Sequence, residues 1–164
     1  MKTAVLAAAL ACALSTPALA GIERVSLETS VPAATPATAA PATVYAAVSI
    51  SRQTMDVLVL KGSGEAEIHN WTVSTGRKGH ATPPGNYQPI WLDKDHRSKT
   101  YDDAPMPFAV FFHGGYAVHA TTDTKHLGQP ASHGCVRLSK ADAAAFYGLV
   151  LAYGRGNTQI AITR

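Results

Sequence analysis

The residues best suited to chemistry in this sequence lie in one short segment, residues 132–138, which reads SHGCVRL. This segment places His133 two residues before Cys135, and a second histidine, His119, lies sixteen positions before the same cysteine. A cysteine attacks as a thiolate, and an imidazole has a pKa suited to taking up the thiol proton near neutral pH. The spacing therefore offers Cys135 two candidate bases.

Two neighbours of Cys135 could serve the same reaction. Gly134 lets the backbone approach a substrate carbonyl, and the amides around Cys135 could then stabilise an oxyanion. Arg137 carries a planar fork of donors that could fix the cysteine loop or bind a substrate carboxylate. A solvated surface charge is the alternative for Arg137.

Other interpretations of the same residue types stay open. A lone cysteine is commonly a small buried apolar residue, and a lone histidine is commonly a packed or surface residue. His119, His133 and Cys135 could also be three ligands of a zinc site. Such a site would need a further ligand or a water, and no carboxylate lies close by in the motif, so we expect no metal.

The first twenty residues have the pattern of an export signal. Lys2 supplies a positive charge, residues 5–14 form an apolar stretch, and residues 18–20 form an A-x-A cleavage sequence. The apolar run is shorter than the roughly 20 residues of a membrane-spanning helix, so we expect no stable membrane span. Cleavage would remove Cys12 and leave Cys135 as a single thiol in an oxidising compartment, which favours a reactive or an intermolecular role.

The rest of the chain divides into a linker and one domain. Residues 21–43 are predicted to be a Pro/Ala/Thr-rich linker, because residues 31–43 carry three prolines and no charge. Residues 44–164 suffice for one domain. With 46% hydrophobic and 15% charged residues, the composition excludes a disordered or coiled-coil protein. The net charge of +3 is not concentrated in a basic cluster, so nucleic acid is not an expected partner.

The domain is predicted to be mainly β, with one helix packed on the sheet. Short β-rich runs bounded by turn residues are expected to be strands, at 44–51, 55–60, 66–74, 87–92, 108–113, 116–120 and 158–163. The first three should form a meander, and Gly114 and Gly115 should form a tight hairpin. A helix is expected from the N-cap Ser139 to Gly154. The polar residues 93–107 are predicted to be a long loop, a candidate lid.

These motifs together resemble the catalytic domain of the L,D-transpeptidases of the YkuD type, which remodel bacterial peptidoglycan. The likeness rests on residues 132–138 with His119 upstream, and it extends to residues 73–76, 82–87 and 106–108. It covers roughly residues 44–151. The resemblance implies a mixed, sandwich-like β fold with one packed helix, and it implies no cofactor.

The resemblance also implies roles for single residues. Cys135 would be the nucleophile and His119 the base, with the main-chain carbonyl of Ala120 orienting the histidine ring. His133 and Gly134 would shape the oxyanion region. Contacts to substrate are expected from residues around this pair, namely Arg137, Ser132, Ala120 and Tyr116. Tyr116 could line a cleft together with His113 and Tyr101.

The implied reaction is a two-step acyl transfer on peptidoglycan stem peptides. A thioester on Cys135 would form with release of D-alanine, and an amine would then resolve it, giving a 3-3 cross-link or protein attachment. Water in place of the amine would make the protein an L,D-carboxypeptidase, and a non-catalytic wall-binding module is a further alternative. The resemblance implies that carbapenem-type inhibitors acylate Cys135, and that the protein works in the periplasm or cell envelope.

Overall fold

The computed structural model describes residues 43–164, which form nine β-strands and one α-helix. The predicted export signal and residues 21–42 of the predicted linker lie outside the described residues. The strands in chain order are β1 (Thr43–Ser49), β2 (Thr54–Leu60), β3 (Ala66–Thr72), β4 (Gly85–Tyr87), β5 (Trp91–Arg97), β6 (Pro105–His113), β7 (Tyr116–Ala120), β8 (Val136–Leu138) and β9 (Thr158–Thr163). The helix is α1 (Lys140–Tyr153).

The first sheet has five strands in the order β3-β2-β1-β9-β4. The consecutive strands β1, β2 and β3 are antiparallel neighbours, which confirms the predicted meander. The last strand, β9, runs parallel to β1 and antiparallel to β4, so the sheet is mixed. Val44, Val57 and Val59 alternate with exposed or half-buried residues along their strands and are fully buried, as expected for a sheet with one covered face.

The second sheet has four strands in the order β5-β6-β7-β8. Gly114 and Gly115 connect the antiparallel strands β6 and β7, as predicted for a hairpin. Strand β8 runs parallel to β7, with His119 opposite Arg137 and Val118 opposite Val136. The parallel pairing of β7 with β8 brings the SHGC segment, residues 132–135, next to the strand that carries His119.

Helix α1 packs on the core and follows the predicted boundaries. The Ser139 hydroxyl accepts the backbone N–H of Asp142 at 3.1 Å and donates to the Asp142 carboxylate at 2.6 Å, which gives the helix a strong N-cap. Gly154 ends the helix with a positive φ of 86°. The helix contacts β6 and β7 and buries Ala143, Phe146 and Val150 in the core. The structure thus confirms a mainly β fold with one helix packed on a sheet.

Two predicted elements were wrong. Residues 93–107 are not one loop, because β5 and β6 pair within this stretch and only residues 98–104 connect them. The polar residues mislead here because β5 is an edge strand, and edge strands commonly carry charged side chains. The predicted strand 87–92 is split between the two sheets, because Pro89 has no N–H to continue a ladder. Thr43, predicted as the last linker residue, begins β1.

Within residues 43–164, no helix is long and apolar enough to span a membrane.

Candidate active site

Cys135 and His119 line one cavity of about 640 Å³ on the second sheet. His119 lies on β7, opposite Arg137 of β8, and Arg137 lines the same cavity. Val118 and Val136, one position along each strand, point instead into the core. Because side chains alternate between the two faces of a sheet, the parallel pairing places the histidine, the cysteine and the arginine together.

His119 is held as a neutral imidazole. Its side chain is buried, with 6% of the residue exposed, and its Nδ1 lies 2.7 Å from the carbonyl oxygen of Ala120. A carbonyl only accepts, so Nδ1 carries the proton and Nε2 keeps a free lone pair. Burial lowers the pKa of His119 to about 4, although the bond to Ala120 opposes this shift and the charge of Arg137 adds to it.

Cys135 is held as a neutral thiol. Burial raises its pKa, and this effect outweighs the bond from the Ala117 N–H and the charge of Arg137, which both lower it. The thiol points to the carbonyl oxygen of Gly115 at 3.9 Å. The resting pair is therefore a thiol and a neutral imidazole, so the thiol proton has to be transferred before or as the sulfur attacks.

Ser132 positions the cysteine loop from inside it. Its fully buried hydroxyl donates to the carbonyl of Cys135 at 2.6 Å and accepts the N–H of Gly134 at 3.0 Å. Ser132 forms part of the cavity wall, as a substrate-binding residue would, but its hydroxyl is engaged within the loop. The Gly134 N–H is likewise engaged, so it is not a free donor for an oxyanion in this state.

Gly134 and Tyr116 pack against each other. Gly134 has a φ of 117°, and a Cβ there would lie 2.4 Å from Cε1 of Tyr116, so only glycine fits this position. Tyr116 and His113 were predicted to line a cleft, but neither residue lines this cavity. Ala120 is also placed differently, since its side chain lies in the core and only its carbonyl reaches the site.

His133 is engaged by a residue that the sequence analysis did not single out. Its Nε2 lies 2.6 Å from the guanidinium of Arg77, which can only donate. Burial and the positive charge of Arg77 lower the pKa of His133. Because Nε2 of His133 already accepts a hydrogen bond from Arg77, His119 is the better placed of the two candidate bases. The pairing spans 56 positions along the chain, so no local pattern could have revealed it.

Arg137 and the loop 98–104 complete the cavity wall. Arg137 lies 3.9 Å from the carboxylate of Asp123, which also accepts Nδ1–H of His126 at 2.7 Å. Tyr101 also lines the cavity, and its ring packs against that of His133, with centroids 4.5 Å apart and planes tilted by 31°. The hydroxyl of Ser98 accepts the N–H groups of Thr100 and Tyr101 and so shapes this loop.

The part of the chain that the structure describes contains no set of side chains arranged as zinc ligands. Nowhere in residues 43–164 do three His, Cys, Asp or Glu side chains converge as they would around one metal ion.

The protein is thus a two-sheet, mainly β domain whose candidate active site brings a cysteine and a buried histidine into one cavity. The family model of the L,D-transpeptidase catalytic domain, YkuD, matches residues 43–162, and the chain belongs to this family.

Solved structures with the same fold include further members of this family. An L,D-transpeptidase from Mycobacterium tuberculosis H37Rv is 25% identical, with a TM-score of 0.64, covering 75% of this chain and 58% of that one. One from Stackebrandtia nassauensis is 26% identical, with a TM-score of 0.61, covering 74% and 56%. A third, in complex with imipenem, is 22% identical, with a TM-score of 0.62, covering 74% and 59%.

The chain spans less than two thirds of the length of these structures. A comparison with curated proteins found no match.

Proposed function

We propose that this protein is an exported peptidoglycan L,D-transpeptidase that uses Cys135 as its nucleophile. The observation that carries the proposal is the pairing, in one cavity, of a half-buried thiol with a buried histidine whose Nε2 lone pair is free. Membership of the family supports the reaction class. The export pattern of residues 1–20 supports a site of action in the periplasm or cell envelope.

The first step is acylation of the cysteine. The sulfur of Cys135 attacks the carbonyl that joins the third residue of a stem tetrapeptide to its terminal D-alanine. The thiol proton passes to Nε2 of His119 and from there to the departing amine, so D-alanine leaves neutral at nitrogen and a thioester remains. The bond from His119 to Ala120 keeps the ring in the tautomer that this transfer needs.

The second step resolves the thioester. The amine of a second stem, or of a protein, attacks the thioester carbonyl and gives up its proton to His119, which returns it to the departing sulfur. Arg137 is the cation in the cavity best placed to bind a carboxylate of the stem. Ser132 and Gly134 act through the geometry of the cysteine loop rather than by contact with the substrate.

Product analysis tests the reaction directly. Purified residues 21–164 incubated with a disaccharide tetrapeptide should give a dimer that lacks one D-alanine, visible by mass spectrometry. A matched incubation with the Cys135→Ala variant should give none. Monomeric tripeptide alone would show that water is the acceptor and the protein a carboxypeptidase. Unchanged substrate with an authentic tetrapeptide would contradict the proposal.

Carbapenems should acylate the same sulfur. The thiol of Cys135 opens the β-lactam ring, so incubation with imipenem should raise the intact mass by one molecule of inhibitor. The reason is that a strained lactam presents the same kind of carbonyl as the substrate to the same nucleophile. The adduct should be absent from Cys135→Ala, and an unshifted mass for the unmodified chain would count against a reactive Cys135.

A further inference from the structure

The turn between Arg77 and His80 lies against the loop that carries Cys135. The N–H of His80 donates to the carbonyl of Arg77 at 2.9 Å, which closes the turn. The N–H of Arg77 donates to the carbonyl of Ser132 at 3.0 Å. Both are backbone bonds, so they do not depend on the arginine side chain. They place that side chain beside His133, the residue that follows Ser132.

The imidazole ring of His133 is fixed by three side chains. The guanidinium of Arg77 lies 2.6 Å from Nε2, the ring of Tyr101 packs against the imidazole, and the ring of His80 meets it edge-on with centroids 4.8 Å apart. Tyr101 and His133 line the cavity that contains Cys135, whereas Arg77 does not. An effect of Arg77 on a bound substrate therefore passes through the His133 ring.

The bond from Arg77 decides which nitrogen of His133 carries the proton. A guanidinium only donates, so Nε2 accepts and the ring proton is on Nδ1. A second proton on the ring would occupy the lone pair that Arg77 uses. Burial and the charge of Arg77 disfavour that proton by lowering the pKa of His133, and the nearby His80 and Arg137 act in the same direction.

The Nδ1–H of His133 is a donor that the loop itself does not use. Among residues 43–164 no group accepts this hydrogen, whereas the N–H of Gly134 is already bonded to the hydroxyl of Ser132. Arg77 also makes the Nδ1–H a stronger donor, because linked hydrogen bonds polarise one another and a cation at Nε2 draws electron density towards itself. The ring can therefore donate to a ligand in the cavity.

We propose that Arg77 is a positioning residue that keeps the ring proton of His133 on Nδ1, where it donates a hydrogen bond to an acceptor oxygen of the bound stem peptide. This inference rests on the proposed function and adds a polar contact for the substrate beside Cys135. A stem peptide offers such oxygens in its carbonyl and carboxylate groups, and an imidazole N–H serves either.

Kinetics at several pH values test the role of Arg77. For the full chain at about pH 8, Arg77→Ala should lower kcat/KM for a disaccharide tetrapeptide roughly five- to tenfold, because the proton of His133 is then free to move to Nε2 and the bond to the substrate is weakened. The loss should shrink towards about pH 5, since a protonated ring carries a hydrogen on both nitrogens. A merely structural role for Arg77 would give the same loss at every pH.

Two further variants control for the charge and for the turn. Arg77→Lys should retain most of the activity, because the contact is a single hydrogen bond and an ammonium also only donates. Lys78→Ala removes an exposed cation from the same turn and should change kcat/KM at neither pH. A loss in Arg77→Ala that does not vary with pH, or an equal loss in Lys78→Ala, would overturn the proposal.

Nitrogen NMR separates this inference from the proposed function. The full chain is labelled with 15N-histidine, and the ring resonances of His133 are identified by their absence in His133→Gln. Near neutral pH the unmodified chain should show a protonated Nδ1 and an unprotonated Nε2, and in Arg77→Ala the proton should be shared between both nitrogens. A proton on Nε2 of the unmodified chain, or an unchanged tautomer in Arg77→Ala, would overturn the proposal. Failure of the unmodified chain on the tetrapeptide would refute the proposed function, while the spectrum would still decide whether Arg77 sets the tautomer.

Discussion

Replacing Cys135 by alanine should reduce turnover of the tetrapeptide by at least about a thousandfold. The reason is that the covalent thioester cannot form without the sulfur, and the loop that carries Cys135 offers no free hydroxyl in its place. The hydroxyl of Ser132 is buried and bonded within the loop. Release of D-alanine, measured by a coupled assay, checks the result.

The same substitution should leave the fold intact. Cys135 is only partly buried, and alanine retains its Cβ against the cluster of Met106, Ala109, Phe111 and Ala117. The thermal midpoint should therefore stay within a few degrees of that of the unmodified chain. A folded Cys135→Ala protein that still released D-alanine at the original rate would remove Cys135 as the nucleophile.

Replacing His119 by glutamine should reduce turnover by roughly a hundred- to ten-thousandfold, the range expected for loss of a general base. Glutamine can keep a bond to the carbonyl of Ala120 but cannot take up the thiol proton. Because burial raises the pKa of Cys135, the thiol does not ionise on its own near neutral pH and depends on this base. Steady-state rates for His119→Gln and for a His69→Gln control, from the first sheet, check the result. Equal losses in both variants would contradict a specific role for His119.

The pH dependence of stability gives His119→Gln a second signature. The pKa of His119 is about 4 in the folded chain and near 6.5 when unfolded, so between these values the unfolded chain binds the extra proton. Its contribution to stability is fully present above pH 6.5 and is lost as the pH falls towards 4, by roughly 3 kcal/mol at most. Denaturation at several pH values should show a shallower acid loss in His119→Gln. An identical slope in both proteins would mean that His119 is not buried as a neutral group.

Features made by neighbouring residues were predictable from the sequence. The Ser139 cap and the Gly154 end of the helix depend on hydrogen bonds within a few residues, and the hairpin at Gly114 and Gly115 depends on a two-residue turn. The chemistry available to the SHGC segment was predictable for the same reason, because it depends on the types and spacing of neighbouring residues. The paired strands 93–97 and 105–107 were not predictable, because an edge strand is set by its partner and its polar pattern resembles a loop.

The sequence by itself determined the family, the mainly β class and the two histidines that could act on Cys135. Only the tertiary structure gives a physical reason to prefer His119, the base that the resemblance implies, since it pairs Arg77 with His133 across 56 positions and buries His119 against the carbonyl of Ala120. It also decided that Tyr116 supports Gly134 rather than lining the cavity. The physical reason is that the desolvation of a side chain and the tautomer of a histidine depend on contacts with residues that lie far away in the sequence. The spacing of residues along the chain does not encode these contacts.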